Sequence, residues 1–276
     1  MKALIAALAI RAVSASPRPS TLASLFHRPE VRRISARDLD WALAEGWKDF
    51  LETRGDVVLL AVIYPLVGFF AAAISFNVRL LPLLFPLIAG ISILGPAVAL
   101  GFYEIGRRRE AGLEASWRHG FDGLWRRGRP GLFLLILGLV ALFVAWMSVA
   151  AAIYGLTVQP DHPASAAAFV RIVFTTAEGW RLIAFGNLAG LTFAASTLLL
   201  MGVAFPMAVD TPVSATLAVM TSVAAVAKNP MEMATWGVRV AALLALGCLP
   251  MFIGLAIVLP VLGFATWKLY TRLVQR

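Results

Sequence analysis

Glu104, Asp210, Glu232 and Arg239 are ionisable residues that fall at the edges of, or inside, the long apolar stretches of this chain. Carboxylates gathered around an arginine at the border of an apolar medium could hold a cation or pass a proton, and charges at membrane depth are the usual marks of such a pathway. The same four residues would serve as helix-terminal charges and one structural ion pair, with Glu232 suiting the positive end of a helix and Arg239 snorkelling or paired. A second constellation is basic: Arg107, Arg108, Arg109, Arg118, Arg126, Arg127 and Arg129 crowd one loop together with Trp117 and Trp125. Guanidinium groups grip phosphate bidentately, so this loop is a candidate patch for anionic lipid or an acidic partner, each residue near the surface contributing about 1 kcal/mol. Its simpler role is that of a topological anchor on one side of a bilayer.

Other chemistries find no footing. His27, His119 and His162 lie in polar segments, away from any position where they could ligate an intramembrane haem. Cys248 is the single cysteine, which excludes an intrachain disulfide and a thiolate cluster. The H-E-x-x-H, G-x-S-x-G and G-x-x-x-x-G-K-[ST] patterns are absent. No catalytic residue, cofactor or metal ligand is assigned, nucleic acid is not an expected partner, and a non-enzymatic role follows.

The elements that must position these residues are membrane spans. The chain of 276 residues is 60% hydrophobic and 14% charged, with a mean hydropathy of +0.83, against roughly a quarter charged in soluble domains. Val57 to Phe76, Leu80 to Tyr103 and Gly131 to Gln159 are uncharged, and each is long enough to cross a bilayer core of about 30 Å. A soluble globular fold is excluded. Asn187, Ser92, Thr192, Ser196 and Thr197 are the polar groups of the spans, expected to bond between helices, with Gly186 and Gly190 allowing close approach.

A threefold repeat organises the spans. Leu39, Leu43, Trp47, Phe50 and Leu51 define one helix face; Leu113, Trp117, Phe121, Leu124 and Trp125 repeat it, and Val213, Leu217, Thr221, Ala224 and Ala225 form a weaker copy. Asp210 or Thr211 would cap the third, with Pro212 at its first position. Hinges at Asp56, Pro130 and Pro230 then lead into the membrane, and prolines recur in the returning helices as Gly95-Pro96, Phe205-Pro206 and Leu259-Pro260. Gly90 to Pro96 echoes Gly254 to Pro260, with Tyr103 and Trp267 equally far beyond. The expected architecture is all-α, with six transmembrane helices as three repeats of an amphipathic interfacial helix and a hairpin, at about 35–109, 110–210 and 211–276.

Residues 1–34 read as a flexible cytoplasmic tail, with a short secretory signal as the alternative. Residues 35–276 form one transmembrane domain. Six spans with both termini in the cytoplasm leave only Arg79, Arg171 and Arg181 on the outer side, as the positive-inside rule requires. Trp41, Trp47, Trp117, Trp125, Trp236 and Trp267 would form the inner aromatic belt, and 164–174 a short helix on the outer surface.

Gly46-Trp47-Lys48-Asp49-Phe50, Gly95-Pro96 leading to Tyr103-Glu104 and Arg107-Arg108, Pro206-Met207 with Asp210, Asn229-Pro230, and Leu259-Pro260 to Trp267 and Tyr270 complete the set of motifs. On these the chain, from about Arg28 to Val274, resembles the bacterial integral membrane proteins of domain-of-unknown-function family 2189. The resemblance implies a multi-pass protein of the inner membrane and carries no reaction. Members often have histidine where this chain has Phe264 and Lys268, so no metal role transfers. The expected function is a scaffold that binds membrane lipid, in particular anionic lipid, or a membrane protein complex. The alternative is a transporter or channel for a small uncharged or lipid-like solute, which helices broken at Pro96, Pro206 and Pro260 would suit.

Overall fold

The computed structural model describes residues 29–53, 55, 84–122, 130–158, 165–250 and 252–276. The tail to residue 28, the hinge Asp56, the run Val57 to Phe76, and Leu124, Trp125, Arg126, Arg127 and Arg129 lie outside them. The described chain is helical, with one isolated bridge, Val31 to Val274. In order it forms α1 (36–53), α2 (Leu84–Ile93), α3 (Gly95–Val98), α4 (Leu100–Glu110), a 3-10 turn (Trp117–Phe121), α5 (Pro130–Thr157), α6 (Ala166–Thr175), α7 (Ala177–Met201), α8 (Ala204–Asp210), α9 (Ala215–Lys228), α10 (Pro230–Cys248) and α11 (Leu255–Leu273).

Among the described residues, three helices are long and apolar enough to cross a membrane: α5, the α7–α8 segment Ala177–Asp210, and α10. Each buries under a third of its most apolar window inside the chain, so Phe133, Leu137, Leu188, Leu191 and Val238 point outward. In water that surface would be costly; in lipid it is matched. Pro130 and Pro230 stand at the first positions of α5 and α10, where a missing N–H costs no hydrogen bond. The short helix expected at 164–174 is present as α6, capped by Ser165 Oγ, which accepts the Ala168 N–H at 3.1 Å.

The breaks follow local chemistry. Gly95-Pro96 does interrupt its helix, giving the four-residue α3 between turns at Leu94 and Ala99. The second break falls at Gly202–Val203, and the Val203 N–H is taken by Ser222 Oγ from α9 at 3.1 Å. Pro260, by contrast, sits inside an uninterrupted α11, so that expected break does not occur. The third amphipathic helix is α9, but its cap is Ser214, which accepts the Leu217 N–H, while Asp210 ends α8. The second copy starts extended at 113–116 and continues as the 3-10 turn, not as a regular helix. There the Ser116 N–H donates to His119 Nδ1, a cap that diverts the chain.

The polar groups of α7 bond within their own helix and not between helices as expected. Asn187, Thr192, Ser196 and Thr197 each donate to the carbonyl four residues back on α7, because that carbonyl is the nearest acceptor to a side chain with apolar neighbours. Gly190 does approach another helix, since a Cβ there would lie 3.4 Å from the Trp146 ring, whereas Gly186 has open space beside it. Trp146 is buried, and its indole N–H reaches the Pro86 carbonyl at 2.7 Å.

The charged end of the bundle is closely packed. Every residue of α8 from Ala204 to Val209 is buried, and α11 buries twelve residues. A strap, 30–34, closes this end: Arg32 N–H donates to Leu273 O at 2.7 Å and Gln275 N–H to Glu30 O at 3.0 Å. Asn229 pins the strap. Its Oδ1 accepts the Ile34 N–H at 2.9 Å, and its Nδ2 donates to Arg32 O at 3.0 Å and Ala225 O at 3.1 Å. Asn229→Leu should therefore lower stability by about 2–3 kcal/mol, since it orphans a backbone donor and an acceptor together. A thermal melt of the purified variant in detergent tests this, and an unchanged midpoint would refute it.

Candidate functional site

The charged end is built where α1, α4, α8 and α11 meet. Two glycine contacts set the spacing of α11: a Cβ on Gly46 of α1 would lie 2.6 Å from the Ala265 backbone nitrogen, and one on Gly263 would lie 2.6 Å from Phe102 Cβ of α4. Phe50, Phe102, Ile105 and Phe264 fill the interface. This close approach brings carboxylates and cations from four elements within reach of one another.

Glu104 is fully buried, and Arg107 grips it with both arms, Nη2 to Oε1 at 2.6 Å and Nε to Oε2 at 2.9 Å. Such a bidentate pair compensates the cost of burying the carboxylate. Arg107 also lies close enough to Asp210 for their charges to interact. Asp210 accepts the Tyr270 hydroxyl at 2.9 Å and has Arg276 Nη1 at 3.8 Å. Arg276 pairs with Glu110, which also accepts the Trp267 indole N–H at 3.1 Å. A parallel group surrounds the buried Asp49 of α1: Lys268 Nζ stands 3.1 Å from Oδ2 and Arg109 Nε 3.4 Å from Oδ1, and Arg109 pairs with Glu52. Neither contact to Asp49 has hydrogen-bond alignment, so charge attraction holds the group.

Of the four residues expected to converge, Glu104 and Asp210 do so, through Arg107. Glu232 stands in the first turn of α10. Arg239 reaches away from them to Asp40 of α1, Nη1 to Oδ1 at 2.6 Å. The structure adds Asp49, Glu110, Lys268, Tyr270 and Arg276 to the cluster. Of these, Asp49 and Tyr270 sit in motifs, but their partners come from distant segments that no local spacing reveals.

In the basic loop, Arg107, Arg108 and Arg109 turn inward to carboxylates. Arg108 donates to Asp122 Oδ2 at 3.1 Å and to the Glu114 carbonyl at 2.8 Å. Arg118 is exposed on the 3-10 turn. Trp236 and Trp267 are core residues, not belt residues, because the charged end of the bundle is itself a packed core. Near Gly95 and Leu259, a groove is lined by Ile88, Leu244, Phe252 and Leu255, with Ser92 and Cys248 as its polar members. Among the described residues, no three His, Cys, Asp or Glu side chains gather to hold a metal ion.

Apolar helices that leave their flanks to lipid, joined to an ion-paired end, define an integral membrane protein with several apolar helices. Residues 83–210, from the start of α2 to the end of α8, match the model of a family described as "Predicted integral membrane protein (DUF2189)". Glu104, Arg107 and Asp210 all lie within the matched segment. Neither the curated proteins nor the solved structures gave a match to this chain.

Proposed function

We propose that this is a non-enzymatic scaffold of the bacterial inner membrane, binding lipid or a membrane protein complex, with six spans and its charged end in the cytoplasm. The observation that carries the reading is the closed charged end, where Glu104, Asp210 and Asp49 are each neutralised by arginine or lysine from other turns or helices. A proton or ion pathway needs a carboxylate that can change partners, and none stands in the central part of α5, α7 or α10. The apolar lining of the groove near Gly95 and Leu259 supports the same reading. The positive-inside rule assigns the charged end to the cytoplasm.

The test is extraction in native-lipid nanodiscs followed by mass spectrometry of everything retained. An anionic phospholipid or a membrane protein held in stoichiometric amount is expected. Solute uptake by reconstituted vesicles, with neither lipid nor partner retained, would overturn the scaffold in favour of a transporter.

A further inference from the structure

Helix α1 carries two apolar strips. One, comprising Leu39, Ala42, Gly46 and Phe50, is buried against the bundle together with Asp49 and Thr53. The other, Leu43, Trp47 and Leu51, is spaced four residues apart and runs from the edge of the core outward: Leu43 is half-buried against it, while Trp47 is 47% and Leu51 42% exposed. The face expected from the sequence thus divides, because Gly46 rotates the helix so that its bare side meets α11.

The outward strip has a direction. Asp40 lies on the same side of α1, three residues before Leu43, and its carboxylate receives Arg239 from within the span α10. Val238 and Met231 of α10 are exposed as well. Beside the strip stand Arg37 and Lys48, with Arg32 and Arg33 on the preceding strap, all exposed and without a side-chain partner among the described residues. The acidic residues Asp38, Asp40, Asp49 and Glu52 are occupied by Arg272, Arg239, Lys268 and Arg109. Glu30 and Glu45 are left to oppose four cations.

We propose that α1 lies in the headgroup layer of the bilayer its own spans cross. The Leu43, Trp47 and Leu51 strip sits at the acyl boundary, and Arg32, Arg33, Arg37 and Lys48 sit on the phosphates of anionic phospholipid. Tryptophan suits that boundary, and long cationic side chains flank an apolar strip by snorkelling. The proposal deepens the lipid-binding reading and moves its site from Arg107, Arg108 and Arg109 on α4 to α1 and the strap.

The test uses the full chain with Cys248→Ser and a nitroxide on either Leu51→Cys or Glu45→Cys, reconstituted in phosphatidylglycerol-containing vesicles. The Leu51 label should be more accessible to oxygen than to a water-soluble nickel chelate, and the Glu45 label the reverse. Replacing Arg32, Arg33, Arg37 and Lys48 together by glutamine, or using phosphatidylcholine alone, should move the Leu51 label toward the chelate. Equal chelate access at both positions overturns the proposal, as does a Leu51 label shielded from both reagents by a protein partner. A depth indifferent to lipid charge and to the glutamines refutes the anionic part. The readout needs no co-purifying species, so a scaffold with nothing retained and an embedded α1 would sink the first reading and leave this one standing.

Discussion

Arg107→Leu is expected to be among the most damaging single substitutions in the charged end, lowering stability by about 3–5 kcal/mol. Its guanidinium is the bidentate partner of a carboxylate with 0% exposure. Without it, Glu104 is left as a buried carboxylate with Arg108 at 3.9 Å as a distant substitute. The companion Glu104→Gln should cost less, because a neutral amide leaves no buried charge and Arg107 retains Asp210 nearby. The double substitution Glu104→Gln/Arg107→Leu should recover much of the loss. Melting midpoints of the four proteins in one detergent form the required cycle. Additive losses would show that the pair does not act as a unit.

The second large effect is expected at Gly46. A methyl group there would sit 2.6 Å from the backbone nitrogen of Ala265 and 2.7 Å from its Cβ. Backbone cannot step aside as a flexible side chain does, so α1 itself must move off α11. Gly46→Val should cost about 3 kcal/mol, at the upper end of overpacking penalties. It should also separate Asp49 from Lys268, which lie only three residues beyond the contact on their respective helices. Trypsin should then cleave after Arg37 and Lys48 faster than in the parent. Ala44→Val, on the exposed side of the same helix, should leave both midpoint and cleavage unchanged. If Gly46→Val behaves like that control, close packing does not hold α1.

What the sequence revealed was what depends on residue type summed over a segment. The uncharged run Gly131 to Gln159 located α5, and Pro130 and Pro230 marked the starts of α5 and α10. The meeting of Glu104 with Asp210 was legible too, since both fall where apolar runs end and so must share one side. What remained hidden depends on rotation and on remote partners. The spacing of Leu39, Leu43, Trp47, Phe50 and Leu51 describes a wide apolar arc, and only the contact of Gly46 with Ala265 decides which part of it is buried. Seven arginines in a loop look like a free surface, yet Arg108 and Arg109 are taken by Asp122, Asp49 and Glu52. Pro260 resembles a helix breaker, but eleven of the other residues of α11 are buried, and that packing outweighs one lost hydrogen bond. His119 turned a helical pattern into a 3-10 turn through a single acceptor nitrogen.

The strap has a mechanical consequence. Segments 30–34 and 273–275 run side by side, joined by the Val31–Val274 bridge and by the Arg32 N–H to Leu273 O and Gln275 N–H to Glu30 O hydrogen bonds, while Asn229 ties the strap to the end of α9. Handles attached to these two segments and drawn apart would load the bridge in unzipping geometry, one bond at a time, before any span feels tension. The first rupture should therefore be small and reversible, followed by release of α1 from α11, while α5, α7 and α10 keep their seats in the bilayer. The charged end then works as a latch that yields at low force and protects the membrane-embedded helices behind it.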